Sequence, residues 1–221
     1  MIVVQKTFKA ITENKSMEKP IIDNLSVEEL LRLIESRRQN GEEIKLHPNG
    51  FLQLSLSSGH WREQGLRLHV WSDSLPRKNH PKFRIHDHIF DIESYILLGK
   101  IQNKNYIIRD DPEGEHLIVE AGLEDVHPTN KRVNAFLSDY FSKVAGEKYT
   151  LPRLQFHSSE SEASLTATVM SKKNTNLTIL PRVLAPVDYK TEELEGKRVV
   201  DQALAWDVVK LVVNKICETY L

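Results

Sequence analysis

The chain has 221 residues, 40% apolar and 28% charged, a balance too apolar for wholesale disorder and ordinary for a globular chain with a sizeable core. Thirty basic residues against 31 acidic ones leave a formal charge of -1, so no chain-wide positive field exists to draw nucleic acid. The single cysteine, Cys217, points to a reducing, cytoplasmic compartment, and neither a membrane-spanning run nor a signal peptide's apolar stretch is present, so no membrane partner is expected.

Ser26 and Glu29 read as a capping box, and Val27, Leu30, Leu31, Leu33 and Ile34 recur at helical spacing until Gly41, which predicts an amphipathic helix over about 25–41. From residue 51 to 180 the texture shifts to short runs of period-two alternation, bounded by Asn-Gly, Ser-Gly, Asp-Asp-Pro-Glu-Gly and Lys-Lys-Asn turn signals. This is an all-β pattern. Leu66, Leu68 and Val70 alternate with Arg67, His69 and Trp71, so the first set is expected to pack outward under a helix and the second to wall a lumen. Residues 106–108, the Asp110 to Gly114 turn and residues 117–119 read as a hairpin. Val199, Val200, Ala203, Leu204, Val208, Leu211, Val212 and Ile216 then form a helical stripe over about 190–220, broad enough to suggest a second copy and hence a homodimer. No repeat or low-complexity linker divides the chain, so residues 1–221 read as one domain with its barrel at about 45–185.

Of the nine histidines, His47, His60, His80, His116 and His127 read as ordinary surface or hydrogen-bonded residues. His86 and His88 differ, because they sit two apart in the extended run 82–88, where both rings share a face. Their Cα atoms would stand about 6.6 Å apart, close enough for both imidazoles to reach a cation at roughly 2.1 Å. The same spacing also suits two exposed histidines on an edge strand. Asp87 faces the other way and cannot join such a site. A glycine-rich phosphate loop and a Gly-x-Ser-x-Gly elbow are both missing, and nothing near Cys217 in sequence would activate its thiol.

His86 and His88, then Glu93 after four residues and Gly99 after five more, followed by a distant block of Gly146, Pro152 and His157, resemble the cupin superfamily. The resemblance spans about residues 84–157. It implies a mostly β fold, a jelly-roll barrel with helical extensions at both ends, and a metal held by His86, His88 and His157. Cupins usually keep six residues between the glutamate and the glycine; five here shift Glu93 by one strand position and reverse its face. Glu93 therefore stands as a fourth candidate ligand, with a carboxylate at the barrel rim as the alternative. Leu154 occupies a position where a glycine is common, and Ser161 one where an asparagine is common.

Without Glu93, three neutral nitrogen ligands resemble the thiol dioxygenase branch, which implies Fe(II) and the oxidation of a small polar, thiol or carboxylate-bearing substrate. Zn, Mn or Ni in an isomerase, lyase or hydrolase, and a ligand-binding cupin without turnover, are the alternatives. By strand alternation Arg84 joins the face of His86 and His88, while Arg153 and Gln155 join that of His157, so either arginine is expected to clamp a substrate carboxylate. Tyr106 and Tyr149 are candidate hydroxyls beside the site.

Overall fold

The computed structural model describes residues 22, 25–57, 65–75, 83–122, 125–176, 178–191 and 199–221. The capping box forms: the Ser26 hydroxyl accepts from the Glu29 N–H, and the Glu29 carboxylate accepts from the Ser26 N–H. It starts helix α1 (Val27–Gln39), which buries Val27, Leu30, Leu31 and Ile34. The β region follows as β1 (Lys45–Leu46), β2 (Leu52–Ser55), β3 (Leu66–Ser72), β4 (Asp91–Leu98), β5 (Lys100–Asp110), β6 (His116–Ala121), β7 (Val126–Val144), β8 (Lys148–Leu151), β9 (His157–Ser161), β10 (Leu165–Lys173) and β11 (Arg182–Pro186). The chain closes with α2 (Gln202–Tyr220), whose N-terminal amides on Ala203 and Leu204 donate to the Asp201 carboxylate. Of the helix expected over 190–220, residues 192–198 lie outside the described residues.

Two antiparallel sheets build the fold, one in the order β1-β2-β3-β10-β4-β8 and the other β11-β6-β7-β5-β9. This is the cupin-type jelly-roll barrel with a helix on each side of it in sequence. Alternation along β3 sorts its residues as expected. Leu68 and Val70 join Val169 and Leu97 on the outer face of the six-stranded sheet, in one cluster with Leu30 and Leu31 of α1 and Val208, Val212 and Ile216 of α2. Trp71 points inward with Ile96 and with Phe51, which leads into β2, against Ile101 of the facing sheet. The apolar stripe running into α2 is therefore filled in part within the chain, through Val200, Val208, Val212 and Ile216, at roughly 1.5–3 kcal/mol for each fully buried side chain of leucine size, while Val199 and Leu211 stay exposed. No helix among the described residues is long and apolar enough to cross a membrane.

One expected pairing is corrected. Strands β5 and β6 do not form a hairpin, because β7 lies between them. At 19 residues β7 is long enough to serve both neighbours: residues up to Val133 pair with β6, and those from Val133 to Val144 pair with β5. The run around His86 is not a full strand either. It makes bridges at His86 alone, to His157 on one side and Val183 on the other, and so ties β9 to β11, the two edges of the five-stranded sheet.

Gly99, the glycine of the first motif block, holds φ at +76°, and a Cβ there would meet the Thr166 hydroxyl at 2.3 Å and the Leu165 carbonyl at 2.5 Å. Gly146 is also left-handed, at φ +90°, but nothing lies within 4 Å of its Cβ position. Gly99→Ala is thus expected to combine a left-handed penalty of about 1–2 kcal/mol with about 1–3 kcal/mol of overpacking, and Gly146→Ala only the former. Chemical denaturation of the two variants checks the difference.

Candidate metal centre

His86 and His157 face each other as an antiparallel pair: the His86 N–H donates to the His157 carbonyl at 3.0 Å, and the His157 N–H donates back at 2.9 Å. Directly opposed residues place their side chains on the same face of a sheet. His88 follows one pleat later, and its carbonyl accepts from the Leu154 N–H at 2.8 Å, which docks the turn before β9 onto the same segment. The ring centroids lie 4.6 Å (His86 to His157), 4.8 Å (His86 to His88) and 5.1 Å (His88 to His157) apart. One ring nitrogen from each residue falls within 4.8 Å of those from the other two.

The donor set fits a metal ion. The His86 Nδ1 lies 2.9 Å from the Arg84 carbonyl and the His157 Nδ1 lies 3.1 Å from the Gln155 carbonyl, contacts that leave each Nε2 for coordination. His88 stacks on Phe90 at 5.0 Å, which fixes its ring plane. Burial holds all three rings neutral, the form a ligand needs. It pushes the His157 pKa down to about 3; it also lowers His86, and lowers His88 furthest of its causes, ahead of the neighbouring His86 and His157. Around one ion, nitrogens at roughly 2.1 Å would stand about 3–3.5 Å apart, so loading would draw the rings slightly inward. These three are the only group of His, Cys, Asp and Glu side chains among the described residues placed to share an ion.

Glu93 does not join them. It lies on the strand face opposite Ser94 and Ile96, ion-paired with Lys173, as its shortened spacing to Gly99 predicts. Neither proposed arginine lines the lumen. Arg84 forms an ion pair with Glu160 at 2.8 Å, and Glu160 points away from the face of β9 that carries His157 and Ser159. Arg153 is exposed, its N–H donating to the Asp91 carboxylate and its guanidinium to the Asn174 carbonyl. Alternation fails there because residues 153–154 form a turn with Leu154 at φ +63°, the left-handed geometry that a glycine would take without strain. The Gln155 amide donates to the Tyr106 and Phe156 carbonyls, and the Tyr106 hydroxyl shares a hydrogen bond with Ser158. Tyr149 does face inward, packed on the wall that includes Ile96 and Ile101, its hydroxyl pKa raised by burial. His127 pairs with Asp125 at the surface, and His60 and His80 lie outside the described residues.

Four residues of the site's support, Asp87, Arg182, His47 and Asn49, have no signature in the sequence. Asp87, only 1% exposed, accepts from the Arg182 N–H at 2.6 Å, its Nε at 2.7 Å and its Nη2 at 2.5 Å, while the guanidinium stacks on Phe156. Burial raises the Asp87 pKa and the bonds from Arg182 oppose that rise. The pair pins the back of the segment whose front carries His86 and His88. His47, whose ring sits 6.1 Å from that of His86 and stacks on Phe51 at 4.2 Å, stands beside the centre, and Asn49 two residues later brings its amide to 3.3 Å from the His86 Nδ1.

No protein-family model matches the chain, and no curated protein matches it. Among solved structures it is similar to a cupin superfamily protein from Desulfitobacterium hafniense, at 11% identity and a TM-score of 0.33 over 58% of this chain and 82% of that one. It is also similar to the DMSP lyase DddQ from Ruegeria pomeroyi (10%, TM-score 0.41, 79% and 74%) and to hydroquinone 1,2-dioxygenase from Sphingomonas (10%, 0.35, 57% and 68%). At such values the fold rests on the chain's own strand order and histidine geometry.

Replacing Asp87 by Ala would remove the buried carboxylate that gathers Arg182, whose guanidinium is 31% exposed and stays in contact with water, and is expected to cost roughly 1–3 kcal/mol; Glu160→Ala, at a surface pair, should cost less than about 1 kcal/mol. The pH dependence has a definite sign. Because His157 is held near pKa 3 in the fold and returns to an ordinary value on unfolding, its contribution is complete above about pH 6.5 and is lost as pH falls toward 3. Metal-free protein should therefore lose stability below about pH 6.5, by about 1.4 kcal/mol per pH unit for each such histidine, and denaturation midpoints across pH 4–8 measure it.

Proposed function

We propose that the chain is a mononuclear metal cupin that holds Fe(II) on His86, His88 and His157 and uses dioxygen to oxidise a small polar, thiol or carboxylate-bearing substrate. The observation that supports this reading is the donor set: three neutral imidazoles converge with no carboxylate among them. Three protein ligands leave coordination positions for other molecules, whereas a closed structural site uses four. The choice of iron follows from the resemblance to the three-histidine thiol dioxygenase branch, since imidazole also suits zinc, copper and nickel. Bound there, the ion would supply Lewis acidity and, as iron, electron transfer to dioxygen.

The chain's own part is orientation and exclusion. The carbonyls of Arg84 and Gln155 aim the His86 and His157 rings, and the face of Phe90 steadies His88. Phe51, Trp71, Ile96 and Ile101 form an apolar wall inside the barrel that keeps bulk water from the reacting groups. The non-oxidative alternative drew on Glu93 as an anionic ligand and base, and its pairing with Lys173 removes that support. A reducing, cytoplasmic setting fits the lone Cys217, half-buried with its thiol pKa raised by burial.

Elemental analysis followed by anaerobic Fe(II) loading and oxygen-uptake assays over a panel of small thiols and acids tests the reading. About one ion per chain is expected, lost in His86→Ala, His88→Ala and His157→Ala and kept in His127→Ala. Substrate-dependent oxygen uptake is expected from the loaded protein; bound iron without uptake across the panel would favour a non-oxidative or purely binding role.

A further inference from the structure

With Arg84 and Arg153 engaged elsewhere, the inner wall must supply any group that recognises a substrate. Buried polar atoms without a hydrogen-bond partner gather there: the His69 Nε2, Trp71 Nε1 and Thr168 Oγ1 on the six-stranded sheet, and the Asn105 Oδ1 on the five-stranded one. His69 and Thr168 are directly opposed across β3 and β10, Trp71 is two residues along on the same face, and Asn105 is opposed to His157. Folding leaves such atoms unsatisfied at a cost of about 1–3 kcal/mol each, so a cluster of them on one wall is the mark of a partner that the protein does not contain.

The chemistry of that partner follows from the atoms. The indole N–H of Trp71 can only donate, and the Thr168 hydroxyl donates readily, so together they suit acceptor oxygens. Arg67 and Lys172 both act on His69; Lys172 is buried, and burial ahead of Arg67 lowers its pKa to about 7, so near neutral pH Arg67 is the constant positive charge beside the wall. The wall is joined to the centre through intervening rings: Phe51 packs on His69 at 4.7 Å and on Trp71 at 4.6 Å, its other neighbour His47 is 6.1 Å from His86, and His69 is near enough to His88 to act on it electrostatically.

We propose that His69, Trp71 and Thr168 form the subsite for an oxygen-bearing acceptor group, carboxylate or amide carbonyl, of the small molecule whose reacting end meets the three-histidine centre. The inference rests on the metal-cupin reading for what lies at the other end of that molecule, but the subsite itself can be tested separately.

The test uses zinc-loaded, ¹⁵N-labelled full-length protein titrated with acetate and, separately, with acetamide. The Trp71 indole resonance, identified by its loss in Trp71→Phe, should shift saturably with acetate alone if charge is required, or with both if the carbonyl suffices. Thr168→Val should weaken the response about fivefold, the equivalent of one hydrogen bond of about 1 kcal/mol, while its thermal midpoint stays level or rises because an unsatisfied hydroxyl has been removed. Thr168→Ser, which keeps the hydroxyl, should retain the wild-type response. No saturable shift with either probe would overturn the proposal, as would a Thr168→Val variant that binds acetate normally but melts earlier. Zinc content separates the two readings: bound zinc without a shift defeats the subsite and leaves the centre standing, whereas a shift without bound zinc upholds the subsite and defeats the centre.

Discussion

The reciprocal backbone hydrogen bonds between His86 and His157 set the register on which the site depends. They join two segments far apart in sequence as a directly opposed pair, so both imidazoles must leave the same face. A slip of one residue in β9 would exchange His157 for Phe156, and a slip in the facing segment would exchange His88 for Asp87; either replaces a ligand with an aromatic ring or a carboxylate. Register is secured from three further sides. Leu154 donates to the His88 carbonyl, Asp87 donates its N–H to the Arg182 carbonyl, and the Asp87 carboxylate gathers the Arg182 N–H and guanidinium. The same short segment that carries the ligands therefore also fastens β9 to β11.

Placing three imidazoles together inside a barrel sets function against stability. Burial keeps the rings neutral and so competent to bind a cation, but it makes the metal-free fold sensitive to acid. The inner wall shows the same opposition, since Trp71 and Thr168 keep polar atoms in a buried place where apolar groups would pack without loss. The outer face carries the compensation: Leu68, Val70 and Val169 are covered by both helices in one continuous apolar cluster. One strand, β3, thus holds the two demands on its two faces.

What the sequence made legible was local. The capping box of Ser26 and Glu29, the alternation of β3 and the two-residue spacing of His86 and His88 each follow from a single segment's geometry, and all three take the expected form. The reversed face of Glu93 was legible too, because one missing residue before Gly99 flips a strand position. Arg153 left the site because alternation was carried across a turn that the sequence only hinted at, with Leu154 at a position suited to glycine, and Arg84 because Glu160 claims its guanidinium. Long-range pairing was invisible. Nothing near Asp87 announces Arg182, and the hairpin expected of β5 and β6 ignored a long β7 able to pair with both.

X-ray absorption at the metal edge of loaded protein measures the coordination most directly, because imidazole rings give a multiple-scattering signature that carboxylates and water lack. Three imidazoles at roughly 2.1 Å, with the remaining donors light and exchangeable, is the predicted result. Two imidazoles or fewer, or a protein carboxylate in the inner coordination sphere, would contradict a centre built on His86, His88 and His157.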